Sequence, residues 1–177
     1  MKETTTHWNY TSTMDDECIP SLHDAVVTNI QAVNGELVLS IPNGFKLLPW
    51  DPKNPYDEFH MTRASQVVFS QLLFAPEESV NLEVFREYWL RPLRRSPCVK
   101  PLFAVCRFPS FAKQTEKINS GKWTLWFTSQ FPSSDMCPMF ECCIHTGRRM
   151  HRCYLTVEGC KQILFRWNEI DPAPERL

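Results

Sequence analysis

The sequence predicts a mainly β (α+β) fold: about eight antiparallel strands forming a sandwich or open barrel, with one helix near residues 111–120. Three observations point there. Short apolar runs, several alternating with period two, recur along the chain between Gly, Pro and Asn turn signals. Fourteen prolines against five glycines suggest many rigid connections and few long helices. The block Phe140–Ile170, FECCIHTGRRMHRCYLTVEGCKQILFRWNEI, reads as consecutive strands: Met139–His145 and Met150–Val157 flank Thr-Gly-Arg-Arg, and Gln162–Trp167 follows Glu-Gly-Cys-Lys. Gly-bearing links this short are the mark of antiparallel pairing.

A chain of 177 residues suits one domain large enough to bury a core, expected over 21–170 between a flexible N-terminal tail (1–20) and a polar C-terminal tail (171–177). Hydrophobic residues at 43% and charged residues at 22% are those of a globular chain. The aromatic content, 12% with six tryptophans, suits β-rich cores and recognition surfaces alike. A net charge of −1 weighs against a general nucleic-acid binder, which carries a basic excess. The polar N-terminus has no apolar leader segment, and no apolar run is long enough to span a bilayer. The expectation is therefore a cytoplasmic protein with no membrane partner, whose eight cysteines stay as thiols.

In chain order, Ala25–Ile30 and Glu36–Ile41 are strand-like around the turn dipeptide Asn34-Gly35. Leu37, Leu39 and Ile41 should face the core, and Phe45–Leu48 should complete a three-stranded meander. Pro49–Thr62 carries three prolines and reads as a surface loop. Ala64–Phe74 is a buried strand, and Asn81–Trp89 begins as strand, although a short helix also fits. Arg91–Pro101 is irregular. Phe111–Ser120 is the helix: Ser110 is placed to cap it, Gly121 to end it, and Phe111, Thr115 and Ile118 give its apolar face. Trp123–Gln130 is a strand with Trp123, Leu125 and Phe127 on one face and Trp126 on the other, followed by the loop Pro132–Pro138.

The segments LHDAVVTNIQAVNGELVLSIPNGF (Leu22–Phe45), INSGKWTLWF (Ile118–Phe127) and CYLTVEGCKQILFRWNEI (Cys153–Ile170) together resemble short bacterial β-rich proteins of the immunity-protein type. The resemblance covers about a third of the chain and lies in strand patterns. It implies a β-meander, a helix and then more strands, and an immunity-type or accessory role. Residues Pro49–Pro109 and the Cys/His-rich stretch Cys142–Cys153 stand outside it.

Four features bear on function. In the Cys/His hairpin, register decides the chemistry. A three-residue turn, Gly147-Arg148-Arg149, sets Cys143 opposite Cys153 and His145 opposite His151, so that Cys143, His145, His151 and Cys153 share a face as a zinc donor set. A two-residue turn, Gly147-Arg148, sets Cys142 opposite Cys153 and His145 opposite Met150, and the set splits. The spacing C-x-H-x5-H-x-C lacks the usual C-x2-C knuckle, and free cysteines are common small core residues. Second, His23-Asp24, or a Cys with a His, is an acid/base or thiol pair outside any nucleophile elbow or phosphate loop, which leans the reading away from an enzyme. Third, Phe85–Arg95 interleaves arginines with aromatics. Trp89, Arg91 and Arg94 there suit a partner protein's surface, or less readily a nucleic-acid strand. Fourth, the loop Pro49–His60 sets Trp50, Tyr56 and Phe59 among Asp51, Asp57 and Glu58, a composition suited to clasping a basic partner. The leading expectation is a non-enzymatic protein-binding domain with no cofactor. The alternatives are a zinc protein and, behind it, a nucleic-acid binder.

Overall fold

The strand from Glu36 to Ile41 shows how the layers form. Its burial alternates residue by residue, with Leu37, Leu39 and Ile41 inside, as the period of two requires. The structure, a computed structural model, describes residues 7–88, 102–105, 110–131, 137–147 and 149–174. Its elements run β1 (Tyr10–Thr13), β2 (Val26–Val27), β3 (Asn29–Val33), β4 (Glu36–Ile41), β5 (Lys46–Leu47), β6 (His60–Thr62), β7 (Ser65–Leu72), α1 (Pro76–Ser79), β8 (Val80–Tyr88), β9 (Leu102–Val105), α2 (Phe111–Asn119), β10 (Thr124–Phe131), β11 (Met139–His145), β12 (Met150–Val157), β13 (Cys160–Trp167) and β14 (Ile170–Pro174). The fold is mainly β and every pairing is antiparallel. The strands form open sheets ordered β1-β13-β7-β4-β3, β2-β10-β11-β12-β8-β9 and β14-β6-β5.

The two large sheets share one core. Phe69 of β7 meets Phe140 of β11 edge-on at 5.7 Å, and Phe140 meets Phe127 of β10 at 5.3 Å. Phe45 sits edge-on to both Phe165 and Trp167, at 5.9 and 5.6 Å. Rings of this size each bury a large apolar area, and edge-to-face contact suits their quadrupoles. Helix α2 ties the layers at one end. The Asn119 side chain bonds both the N–H and the C=O of Ile30 on edge strand β3, and Gln114 Nε2 donates to the Leu82 carbonyl on β8.

Several expectations are corrected. The meander stops at two strands, because β5 leaves β4 and pairs with β6 in the small sheet. The run 25–30 is two strands: β2 pairs with β10 and β3 with β4, so the chain changes sheet near Thr28. Glu158-Gly159 does not close a hairpin. β12 lies between β11 and β8, whereas β13 lies between β1 and β7 in the other sheet. The expected tails carry β1, which pairs with β13 through Tyr10↔Trp167, and β14, which pairs with β6. Tyr10 also stacks on Trp167 at 5.5 Å. Helix α2 ends as expected at Gly121 (φ 72°), but the Ser110 hydroxyl makes no capping bond, and the buried residues of the helix are Gln114 and Ile118. The core strand β7 and the inward face Trp123, Leu125 and Phe127 stand as expected.

Candidate functional site

Two regions gather the residues singled out by sequence: the loop between β5 and β6, and the hairpin β11–β12. The loop exposes Trp50, Tyr56, Asp57 and Glu58, and its backbone is fixed by hydrogen bonds. Asp51 N–H bonds the Leu48 carbonyl at 3.0 Å, and Asn54 N–H bonds the Asp51 carbonyl at 2.9 Å. The buried Asn54 side chain donates to the carbonyls of Leu48 and Glu58, and its Oδ1 accepts from Tyr56 N–H. Lys53 reaches the other way, with Nζ 2.8 Å from Ser12 Oγ and 2.7 Å from Asp16 Oδ2, which fastens the loop to β1 and the turn after it. That bond holds the Asp16 carboxyl below its ordinary value.

On this frame Trp50 is 69% exposed. Its ring meets Phe59 edge-on at 6.4 Å, and Lys46 Nζ lies 5.8 Å from the Phe59 ring centre. Tyr56 stacks on His60 at 3.9 Å, and the buried His60 is held by a 2.7 Å contact from Nδ1 to the Asp171 carbonyl. Trp50, Tyr56 and Phe59 thus stand on one ordered loop, with Asp57 and Glu58 exposed among them. Asp51 does not join them. It is buried, its Oδ1 accepts from Lys53 N–H within the loop's own turn, and among the described residues its Oδ2 has no hydrogen-bond partner. Trp89, Arg91 and Arg94 lie outside the described residues.

In the hairpin, Thr146 N–H bonds the Arg149 carbonyl at 2.9 Å across Gly147-Arg148, the two-residue turn. The register follows: Cys142↔Cys153, Cys143↔Arg152, Ile144↔His151, His145↔Met150. Cys143 and His145 point outward while His151 and Cys153 belong to the opposite side, so the candidate zinc quartet does not share a face. Inside, Cys142 and Cys153 are fully buried core residues. The Cys142 thiol beside it, together with burial, pushes the Cys153 thiol far up. Outside, Trp126 opposes Cys143 from β10 and its ring lies nearly parallel to that of His145, centres 6.3 Å apart. Burial pushes the Cys143 thiol up as well, against the nearby Arg152 charge, which acts to lower it. Asp24, Trp126, Thr128, Cys143 and Met150 line a cleft of about 380 Å³.

His23 and Asp24 do form a pair, Nδ1 to Oδ2 2.8 Å, with side chains 58% and 78% exposed. Both side chains are solvated, where such a pair contributes little to stability. Sequence reasoning passed over Trp126 and Met150 as site residues. The signal was their place on the outward side of the Cys143/His145 strand pair, readable only once the register is known. Compared with known proteins, the chain matches no family model, no curated protein and no solved structure. Among the described residues no helix is long and apolar enough to cross a membrane.

Proposed function

We propose that this protein is a non-enzymatic, cytoplasmic protein-binding domain, of the immunity type its strand patterns resemble, and that the loop between β5 and β6 is its docking surface. The observation that carries this reading is Trp50: a ring 69% exposed on a backbone already fixed by Asp51, Asn54 and Lys53. An aromatic anchor held in place loses little entropy on docking, and Trp is the residue most enriched at interface hot spots. Asp57 and Glu58, both exposed, give the rim a negative sign and select a basic partner surface.

The test compares wild type, Trp50→Ala, Asp57→Lys/Glu58→Lys and the distant control Leu73→Ala in quantitative affinity capture from native lysate. A partner kept by wild type and control, bound at least roughly tenfold more weakly by Trp50→Ala, is the expected result, corresponding to a loss of about 1.4 kcal/mol or more. The charge reversal should slow association and remove its salt dependence. A captured set that Trp50→Ala leaves unchanged sinks the proposal.

A further inference from the structure

The apolar stripe of helix α2, Phe111, Thr115 and Ile118, is only partly used by the core. Ile118 is fully buried there. Phe111 and Thr115, one turn apart on the same side of the helix, instead line a pocket of about 240 Å³. Strands β3 and β4 supply Ile30 and Leu37 to it, and α1 supplies Pro76 and Glu77. The lining is apolar except for Glu77, whose side chain is exposed, and Thr115. Thr115 is the unusual member. Its Oγ1 is buried and, among the described residues, has no hydrogen-bond partner, not even the Phe111 carbonyl that a helical threonine can reach one turn back. A buried hydroxyl left unpaired costs free energy, and a ligand that supplies the missing partner recovers it. An apolar cavity of about 150 Å³ holds one benzene ring, so this pocket has room for a ring with one or two small substituents.

We propose that this pocket is a binding site for a small uncharged phenol, its hydroxyl bonded to Thr115 Oγ1 and its ring packed among Ile30, Leu37 and Phe111. A hydroxyl suits Thr115 because each of the two groups can donate to or accept from the other. The rest of the ligand must be apolar, since an unpaired charge set in such a lining is costly. Glu77 adds a sign to the selection: its carboxylate disfavours a ring that carries a carboxylate of its own. Apolar pockets with a few placed polar groups are the usual form of small-molecule sites.

The probes are p-cresol, toluene and p-toluate, rings of one shape bearing a hydroxyl, no polar group and a carboxylate. Each is titrated into the full chain carrying 13C-methyl isoleucine, and the Ile30 methyl signal is identified by its loss in Ile30→Val. The expected order of affinity is p-cresol, then toluene, then p-toluate. Thr115→Val keeps the shape of the pocket and removes the hydroxyl. It should leave the thermal midpoint at or above that of wild type, weaken p-cresol roughly fivefold and erase its advantage over toluene. Thr115→Ser should retain that advantage, and Glu77→Gln should strengthen p-toluate alone. An Ile30 methyl that p-cresol leaves unmoved at millimolar concentration overturns the proposal. So does toluene binding wild type as tightly as p-cresol, or a p-cresol titration that Thr115→Val leaves unchanged.

Discussion

Two links in this chain look alike and do opposite things. Gly147 (φ 82°), between β11 and β12, and Gly159 (φ 69°), between β12 and β13, each sit in a short link between strands of similar length. At Gly147 the chain folds back and β12 pairs with β11 in one sheet. At Gly159 it leaves that sheet, and β13 takes a place between β1 and β7 in the other. The difference lies in what surrounds the turn. Gly147 has nothing within contact distance of a side chain, whereas at Gly159 a Cβ would stand 2.9 Å from Leu73 Cβ. The Gly159 carbonyl accepts from Leu73 N–H, and Glu158 N–H bonds the Ser79 carbonyl, so this corner is laced to the β7–α1–β8 corner beside it. A hairpin is decided locally, by turn chemistry. A sheet-to-sheet corner is decided by another segment far away in sequence.

The largest expected effect tests that contrast directly. Gly159→Ala meets both the left-handed backbone and the Leu73 contact, and should cost roughly 2–4 kcal/mol. Gly147→Ala meets only the backbone conformation and should cost about 1 kcal/mol. Chemical denaturation of the two variants side by side measures the difference. Equal losses would mean that the corner is as free as the hairpin, and the comparison would fail.

The same contrast explains what could be read from sequence. Period-two alternation reports which face of a strand is buried, so Leu37, Leu39 and Ile41 and the face Trp123, Leu125 and Phe127 were legible. It says nothing about which strand lies alongside, and there β5, β13 and the split of β2 from β3 went astray. Strand β1 was illegible for another reason. Tyr-Thr-Ser-Thr has no apolar alternation, and its place rests on Tyr10 stacking against Trp167 and on pairing with β13. At the candidate site, the proline-rich composition marked Pro49–Thr62 as a surface loop; Trp50 is exposed there, but His60–Thr62 is strand β6, with His60 and Thr62 buried. The burial of Asp51 depends on turn hydrogen bonds that composition does not encode.

The two sides of the hairpin sharpen the point at the next scale of effect. Cys153→Ser places a hydroxyl in the fully buried position beside Cys142 and should cost about 1–3 kcal/mol, whereas Cys143→Ser, on the outward face, should stay within about 0.5 kcal/mol. Thiol labelling of the native protein gives an independent reading. Cys143 should react slowly at neutral pH and faster as alkali forms its thiolate, because burial raises it, while Cys142 and Cys153 should react only on unfolding. Equal labelling of Cys143 and Cys153 in the native state would place both on one face and contradict the two-residue register.

The smallest effect concerns the other place where a distant segment fixes a loop, the Lys53–Asp16 pair that fastens the β5–β6 connection to the N-terminal turn. The hydrogen bond from Lys53 lowers the Asp16 carboxyl in the folded chain, so the folded state binds its proton less readily than the unfolded state does. The stabilisation is therefore fully present above the unfolded value near 4 and is lost as pH falls through the lower folded value. Both side chains are about a third exposed, so solvent screening keeps the contribution small. Asp16→Asn should lower stability slightly at pH 7, and the gap should shrink toward pH 2 as wild-type Asp16 takes up its proton. Denaturant midpoints for the two proteins at both pH values measure this directly. A gap that persists at pH 2 would assign the effect to packing at the turn, and the loop would then be held by its own Asn54 and Asp51 bonds without help from β1.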